Sequence, residues 1–328
     1  MTDFLASLHR RAAGRCPRIV FAEGTDARTL EAIGEMSAKG IARPLVIVPD
    51  VTGVAAVRAR GGSAIVIEDS PHLPAVQECL AAWARARGRS EDEARQHAAT
   101  PLAFANALVS VGVADASVAG AVHTTADVLR WALRLIGSDS GSRSVSGAFY
   151  MVAPSTGVPW PHEVLTFSDC GVIPEPSVEQ LSDIAIAAAT DRVRIVGDEP
   201  AIAFLSFSTR GSAVSADVLR VRQAVALTRA RRPDLWVDGE LQADAAIDAI
   251  VGARKAPGSA VAGKANILIF PSLDAGNIAY KLVQYLSGAT AIGPVVQGLR
   301  KPSLDLSRGA SSAEIVHAAA IAALQCGS

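Results

Sequence analysis

Short runs of Val, Ile and other apolar residues alternate along this chain with longer segments of helical spacing, and that rhythm restricts its fold more than any other feature. Apolar runs stand at 19–22, 44–48 and 64–67, and segments such as 27–39 between them repeat apolar residues at helical intervals. Further strand-like runs lie at 116–122, 145–152, 164–167, 201–207, 235–237 and 267–270. A strand, a helix and a second strand in succession form the unit of a parallel sheet. Half of the residues are hydrophobic but only 5% are aromatic. The core is therefore built of Ala, Val, Ile and Leu, as in sheets covered on both faces. A chain of 328 residues exceeds what one compact core usually serves, so two α/β domains are expected.

Helix starts are well marked. Ser177 with Gln180, and Ser311 with Glu314, each spell a capping box; Thr124 with Asp127 is a weaker version. Segment 70–100 is polar and rich in Arg and Ala and reads as exposed helix and connection, and the Ser- and Gly-rich stretch 138–143 reads as a hinge. Basic and acidic residues balance at 31 against 32, which gives no electrostatic reason to expect nucleic acid or an anionic membrane as partner. Cys16, Cys79, Cys170 and Cys326 form no metal-binding or redox pattern and are expected to be reduced thiols, with no metal. Residues 1–17 lack the apolar core of a secretory leader, and no apolar stretch reaches the roughly 20 residues of a membrane helix. A cytoplasmic protein is expected.

Four segments carry candidate chemistry. Ser206-Phe-Ser-Thr-Arg-Gly-Ser212 joins an apolar strand to an amphipathic helix with Val218, Val221 and Val225 on one face. Such a turn aims backbone N–H groups and hydroxyls at a helix N-terminus, where anions bind, and Arg210 adds a cation; an ordinary capped turn accounts for it equally well. In 120–130, Thr124 and Thr125 bind an anion or cap the helix, Arg130 lies in the helix body, and His123 is either an acid–base group or structural. In 255–266, Lys264 and Asn266 precede a buried strand and either hold a phosphate or a carbonyl or decorate an exposed loop. The stretch 305–314 combines Asp305, Ser307, Arg308 and Glu314 around a glycine. Arg suits bidentate phosphate binding and Ser suits one hydrogen bond to a carbonyl oxygen. Glu314 serves as the helix cap or takes a proton.

Taken in order, these segments resemble the phosphate acetyltransferase (phosphotransacetylase) / phosphate butyryltransferase family. The resemblance starts at Arg18-Ile-Val-Phe-Ala-Glu-Gly and runs through Val118-Ala-Gly-Ala-Val-His-Thr-Thr-Ala-Asp-Val-Leu-Arg and Phe204-Leu-Ser-Phe-Ser-Thr-Arg-Gly-Ser-Ala. It continues through Asp238-Gly-Glu-Leu-Gln, Arg254-Lys-Ala-Pro-Gly-Ser and Gly276-Asn-Ile-Ala-Tyr-Lys-Leu to Leu306-Ser-Arg-Gly. It implies two α/β domains of isocitrate-dehydrogenase-like architecture with the active site in the cleft between them. One domain would comprise 1–145 and 296–328, the other 146–295. It also implies a homodimer, coenzyme A as a substrate and no further cofactor.

The resemblance further implies a direct transfer, in which a carboxylate deprotonates the CoA thiol and the thiolate attacks the carbonyl of acetyl phosphate. Ser307 and Arg308 match the family's seryl hydroxyl and arginine. Its aspartate base falls at Glu314, one methylene longer, or roughly 1.5 Å. Where the family reads Tyr-Lys-x-x-Gln-Arg, this chain reads Tyr280-Lys-Leu-Val-Gln-Tyr285, so Tyr285 replaces a cation. Basic residues near Arg85, Arg87 and Arg89 are expected to meet CoA phosphates. The expected small-molecule substrates are acetyl-CoA, phosphate and acetyl phosphate, bound by Ser206, Ser208, Thr209, Arg210, Gly211, Lys264, Asn266, Thr124, Thr125, Arg130 and Tyr285. The alternatives are a propanoyl or butanoyl transferase, a catalytically degenerate binding paralogue and a decarboxylating dehydrogenase, which would want clustered metal-binding aspartates.

Overall fold

The structure is a computed structural model and describes residues 3–141, 143–154 and 160–327. The chain divides into two compact units: one holds residues up to Asp139 and again from Leu299, the other runs from Ser140 to Gly298.

The first unit is built on five parallel strands: β1 (Arg18–Phe21), β2 (Arg43–Val48), β3 (Ser63–Val66), β4 (Ala116–Ala119) and, after the other unit, β11 (Ser303–Asp305). Their order across the sheet is β11-β4-β1-β2-β3. Order reverses at β1 and β4: the chain leaves β1 toward β2 on one side and comes back to β4 on the other. Ligands of open parallel sheets bind outside the carboxyl ends of strands at such a reversal. The turns after β1, β4 and β11 all emerge at that end. Segment 70–100 differs from its expected exposed character. Its helices Leu73–Arg85 and Glu91–Ala98 bury Val76, Leu80, Trp83, Ala94 and Ala98, because Ala and a few large residues at helical spacing are enough to cover a core.

The second unit is a six-stranded mixed sheet: β5 (Ser146–Val152), β6 (Val164–Ser168), β7 (Ala201–Leu205), β8 (Trp236–Leu241), β9 (Ile267–Ile269) and β10 (Thr290–Gln297), in the order β10-β5-β6-β9-β7-β8. β5 is antiparallel to both neighbours; the remaining pairs are parallel. Alternate residues of one strand feed separate cores. Ile202 and Phe204 pack with Leu181, Ile184, Val221 and Val225, while Ala203 and Leu205 pack with Leu241, Val261 and Leu268. Both faces are therefore covered, as the aliphatic, aromatic-poor composition requires. Two expected helix caps form as capping boxes, at Ser177 and at Ser311. Among the described residues, no helix is long and apolar enough to cross a membrane.

Candidate active site

In the first unit the site grows from the turn after β4. Gly120 sits at φ 116°, and an added Cβ would come within 2.6 Å of an Asp305 carboxylate oxygen and of the Leu306 backbone, so only glycine lets these turns approach. The backbone N–H groups of Gly120, Ala121, Val122 and His123 all donate to the buried carboxylate of Glu23, at 3.1, 2.8, 2.9 and 2.9 Å. His123 Nδ1 lies 2.7 Å from the same carboxylate. Burial favours the neutral acid of Glu23, but the bonds from His123 and the turn outweigh it and hold the carboxyl below its usual range. An internal carboxylate thus occupies the nest of donors that the sequence offered to an anion. Thr124 caps the helix Thr125–Trp131 by accepting from the Asp127 N–H, and Arg130 pairs with Asp127.

The turn after β11 carries Ser307 and Arg308, both exposed. Arg308 has no acidic partner among the described residues. The turn is held from behind by Arg28, a residue the sequence reading missed. Its Nη1 donates to the carbonyls of Arg308 and Ala310, both at 2.9 Å, and its Nη2 donates to that of Ala121 at 3.0 Å. Nε and Nη2 also donate to Asp26, at 3.1 and 2.8 Å. All five guanidinium protons are used, so Arg28 joins the turns after β1, β4 and β11 and offers nothing to a ligand. Glu314 forms the capping box, with Oε2 accepting from the Ser311 N–H at 2.7 Å and the Ser311 hydroxyl at 2.9 Å. Oε1 takes no hydrogen bond among the described residues, so capping leaves one oxygen of the exposed carboxylate open. Asp305 is buried, and burial pushes its pKa up to about 6.

Of the expected CoA-contacting arginines, Arg85 pairs with Glu78 and Arg89 with Glu93. Arg87, Arg89 and Arg134 gather over the Trp83 ring at 5.1–5.6 Å, within cation–π range. Burial, then repulsion by Arg89, Arg130 and Arg87, lowers the pKa of Arg134. A crowd of cations of this kind favours an incoming anion.

In the second unit the loop after β7 is pinned to β8. Glu240 accepts from the Ser208 hydroxyl at 2.9 Å and from the Gly211 N–H at 2.7 Å. Thr209 exchanges hydrogen bonds with Gln242. Arg210, at φ 49°, donates to Asp238 at 2.6 Å. The expected free cation at Arg210 is thus committed to an ion pair, and the hydroxyls of Ser208 and Thr209 shape the loop. Ser206 remains the loop's less committed hydroxyl; among the described residues it accepts only from the Ser208 N–H, at 3.3 Å.

Lys264 and Asn266 do not join this loop. They precede β9, and Asn266 borders the first residue of β7, so both lie at the amino ends of strands whose carboxyl ends carry 206–212. Five residues of β7 separate them, about 15 Å. Asn266 is 5% exposed and accepts from the Ala201 N–H at 2.8 Å while donating to the Glu199 carbonyl at 2.9 Å. Its carbonyl and that of Val164 receive the fully buried guanidinium of Arg192, which pairs with Asp198 at 2.7 Å. This is a structural knot. Tyr285 is 84% exposed on the helix Leu273–Ser287, in one apolar stripe with Ile278, Leu282 and Leu286.

Two α/β units whose strands release small-residue turns at their carboxyl ends, one of them bearing an unpaired arginine, define a protein built to handle an anionic substrate. A profile of the phosphate acetyl/butaryl transferase family matches residues 3–323. Phosphate acetyltransferase of Paracoccus denitrificans is 41% identical over 325 residues, covering 98% of each chain. That of Bacillus subtilis is 36% identical over 331 residues, covering 99% of each. Among solved structures, a phosphotransacetylase from Streptococcus pyogenes superposes with a TM-score of 0.91 at 34% identity, covering 99% of both chains. The EutD phosphotransacetylase from Staphylococcus aureus gives 0.90 at 35%, covering 99% of this chain and 98% of that one. The chain belongs to the phosphate acetyl/butaryl transferase family.

Proposed function

We propose that this chain is a cytoplasmic phosphate acetyltransferase that interconverts acetyl-CoA plus phosphate with CoA plus acetyl phosphate. The observation that carries the reading is the exposed turn after β11, where Ser307, the unpaired Arg308 and the open oxygen of Glu314 stand within eight residues of chain. It is supported by full-length similarity to proteins named phosphate acetyltransferase.

Glu314 Oε1 takes the thiol proton of CoA, which is needed because a thiol of pKa about 8.5 is only a few per cent ionised at neutral pH. The thiolate attacks the carbonyl carbon of acetyl phosphate in a ternary complex. Ser307 donates to the developing oxyanion, and Arg308 holds the phosphate with charge-assisted bonds. Of the crowded arginines beside Trp83, Arg87 and Arg134, which pair with no acid among the described residues, attract the CoA phosphates. Ser206 is the group of the 206–211 loop left to contact substrate. Coenzyme A acts as a substrate, and no other cofactor is invoked.

Thiol release from acetyl-CoA, measured with and without phosphate, tests the reading. Phosphate-dependent release that yields acetyl phosphate is expected, and none with any acyl-CoA contradicts it. Because the family spans acetyl and longer acyl groups, propanoyl- and butanoyl-CoA run in parallel decide chain length. The exposed stripe of Ile278, Leu282, Tyr285 and Leu286 supports a homodimer: four large apolar residues on successive turns of one helix are the pattern of an uncovered interface.

A further inference from the structure

The acyl-transfer reading accounts for the thiol proton but leaves the proton of phosphate without a carrier. Unassisted, phosphate would leave the carbonyl carbon as its trianion, a far stronger base than any side chain nearby. Arg308 can neutralise charge there but cannot give up a proton at working pH. A second acid–base group is called for on the phosphate side.

His123 has the arrangement such a group needs. Nδ1 faces the Glu23 carboxylate at 2.7 Å; since that carboxylate only accepts, Nδ1 carries a proton in either charge state. The tautomer is thereby fixed, and Nε2 is the nitrogen that gains or loses a proton. Nε2 makes no hydrogen bond among the described residues, and the side chain is 31% exposed. Glu23 is itself immobilised by four backbone N–H groups, so the ring is oriented as well as charged-stabilised. The link to the reaction is short. One guanidinium, that of Arg28, bonds the carbonyls of both Ala121 and Arg308, and Leu306 N–H donates to the Ala119 carbonyl at 2.8 Å. The turn bearing His123 and the turn bearing Ser307 and Arg308 are neighbours on adjacent strands.

We propose that His123, oriented by Glu23, is the acid–base group that carries the proton of phosphate; this rests on the acyl-transfer reading above. With acetyl phosphate and CoA, the S–C bond forms and the C–O bond to phosphate breaks. The bonding pair stays on the phosphate oxygen, which takes the proton from Nε2 and leaves as hydrogen phosphate. In the opposite direction, Nε2 removes that proton as the oxygen attacks the thioester carbon, and Glu314 returns a proton to the departing thiolate. One proton exchanged with water restores both side chains after each turnover.

The charged neighbours bear this out. Glu23 behind the ring and Asp127 on the following helix both raise the His123 pKa, the bond from Glu23 first. Asp127 is shared with Arg130, Arg28 is spent on Asp26 and three carbonyls, and Asp305 is buried beyond Gly120. The imidazolium therefore persists to higher pH than a free histidine.

His123→Asn is the informative variant, because its amide N–H replaces Nδ1 toward Glu23 and deletes only Nε2. Turnover of acetyl phosphate with CoA should fall about a hundredfold to ten-thousandfold, with half-saturation by both substrates moving less than about threefold. The wild-type kcat should decline as pH rises past the imidazolium pKa, and the variant should lack that decline. A variant that melts like wild type and keeps more than about a third of the turnover overturns the proposal. If the variant folds poorly, the wild-type profile decides alone: no alkaline decline of kcat overturns it. A wild-type protein without phosphate-dependent thiol release fails earlier, on the acyl-transfer reading itself, and takes this proposal with it.

Discussion

Arg308 and Arg210 show how little residue type says without partners. Both are arginines in small-residue turns that follow strands, yet Arg210 is bound to Asp238 and Arg308 is bound to no acid among the described residues. Only the second is free to meet a phosphate. Arg308→Ala should raise the half-saturating phosphate concentration about ten- to a hundredfold, the worth of one charge-assisted bond. Half-saturation by CoA should stay near wild type, and initial-rate kinetics in both substrates measure the difference. An equal loss for both substrates would mean that the turn has collapsed. The same contrast separates Arg28 from either. With every proton committed, it sets the shape of the site and takes no part in the chemistry. Its pairing with Asp26 is local, but nothing local marks its role, because its other partners lie at Ala121, Arg308 and Ala310, up to 282 positions away. Glu23 is hidden for the same reason.

Strand centres such as β1, β2, β7 and β9 are legible because burial on both faces turns them into continuous aliphatic runs. β10 escapes notice because Gly293-Pro294 interrupts it, and the register indeed shifts between Ile292 and Val295. β11 has three residues, one of them charged, and only its place beside β4 makes it a strand. Lys264 and Asn266 are expected beside the 206–212 loop, although order along the chain already separates them. In parallel strands, residues that follow a strand and residues that precede one lie at opposite edges of the sheet.

The helices Asp3–Ala13 and Ser312–Gln325 carry a pH dependence of their own. His9 and His317 face each other with ring centroids 5.1 Å apart. Burial first, then the charge of His9, lowers the His317 pKa from 6.5 to about 4, and burial lowers that of His9 as well. Between those values the unfolded chain takes up a proton and the folded protein does not. Stability should therefore fall as pH drops from about 6.5 to about 4, by on the order of 3 kcal/mol from His317. Urea unfolding across that range measures it. His317→Gln should flatten the slope, and an unchanged slope in that variant would assign the effect elsewhere.

At the scale of the whole molecule, the division into two units follows from length: neither sheet can bury all of this chain, and each has its own core. The C-terminal segment returns to the first unit and thereby brings β11, with Ser307 and Arg308, beside β4. The apolar stripe around Tyr285 belongs to this scale too. Tyr285 stands where the resemblance implies an arginine and suits an interface, and Ile278, Leu282 and Leu286 share its face. Leu282→Glu with Leu286→Glu should shift sedimentation from twice the chain mass to once, as buried carboxylates would stand unpaired in the interface. A wild-type protein that sediments as a monomer at micromolar concentration would contradict the dimer.

The proposed function makes Glu314 the base of the turn after β11 and not only a helix cap. Gln at this position caps as well as Glu, so the two roles separate cleanly. Turnover of Glu314→Gln, measured beside Glu314→Asp and the wild type with a thermal melt of each, decides between them. A loss of about a hundredfold to ten-thousandfold is expected in Glu314→Gln, with an unchanged melt. Glu314→Asp, which places there the aspartate that the resemblance implies, should keep or raise activity. Near-wild-type turnover of Glu314→Gln across neutral pH would leave Glu314 a helix cap and no base.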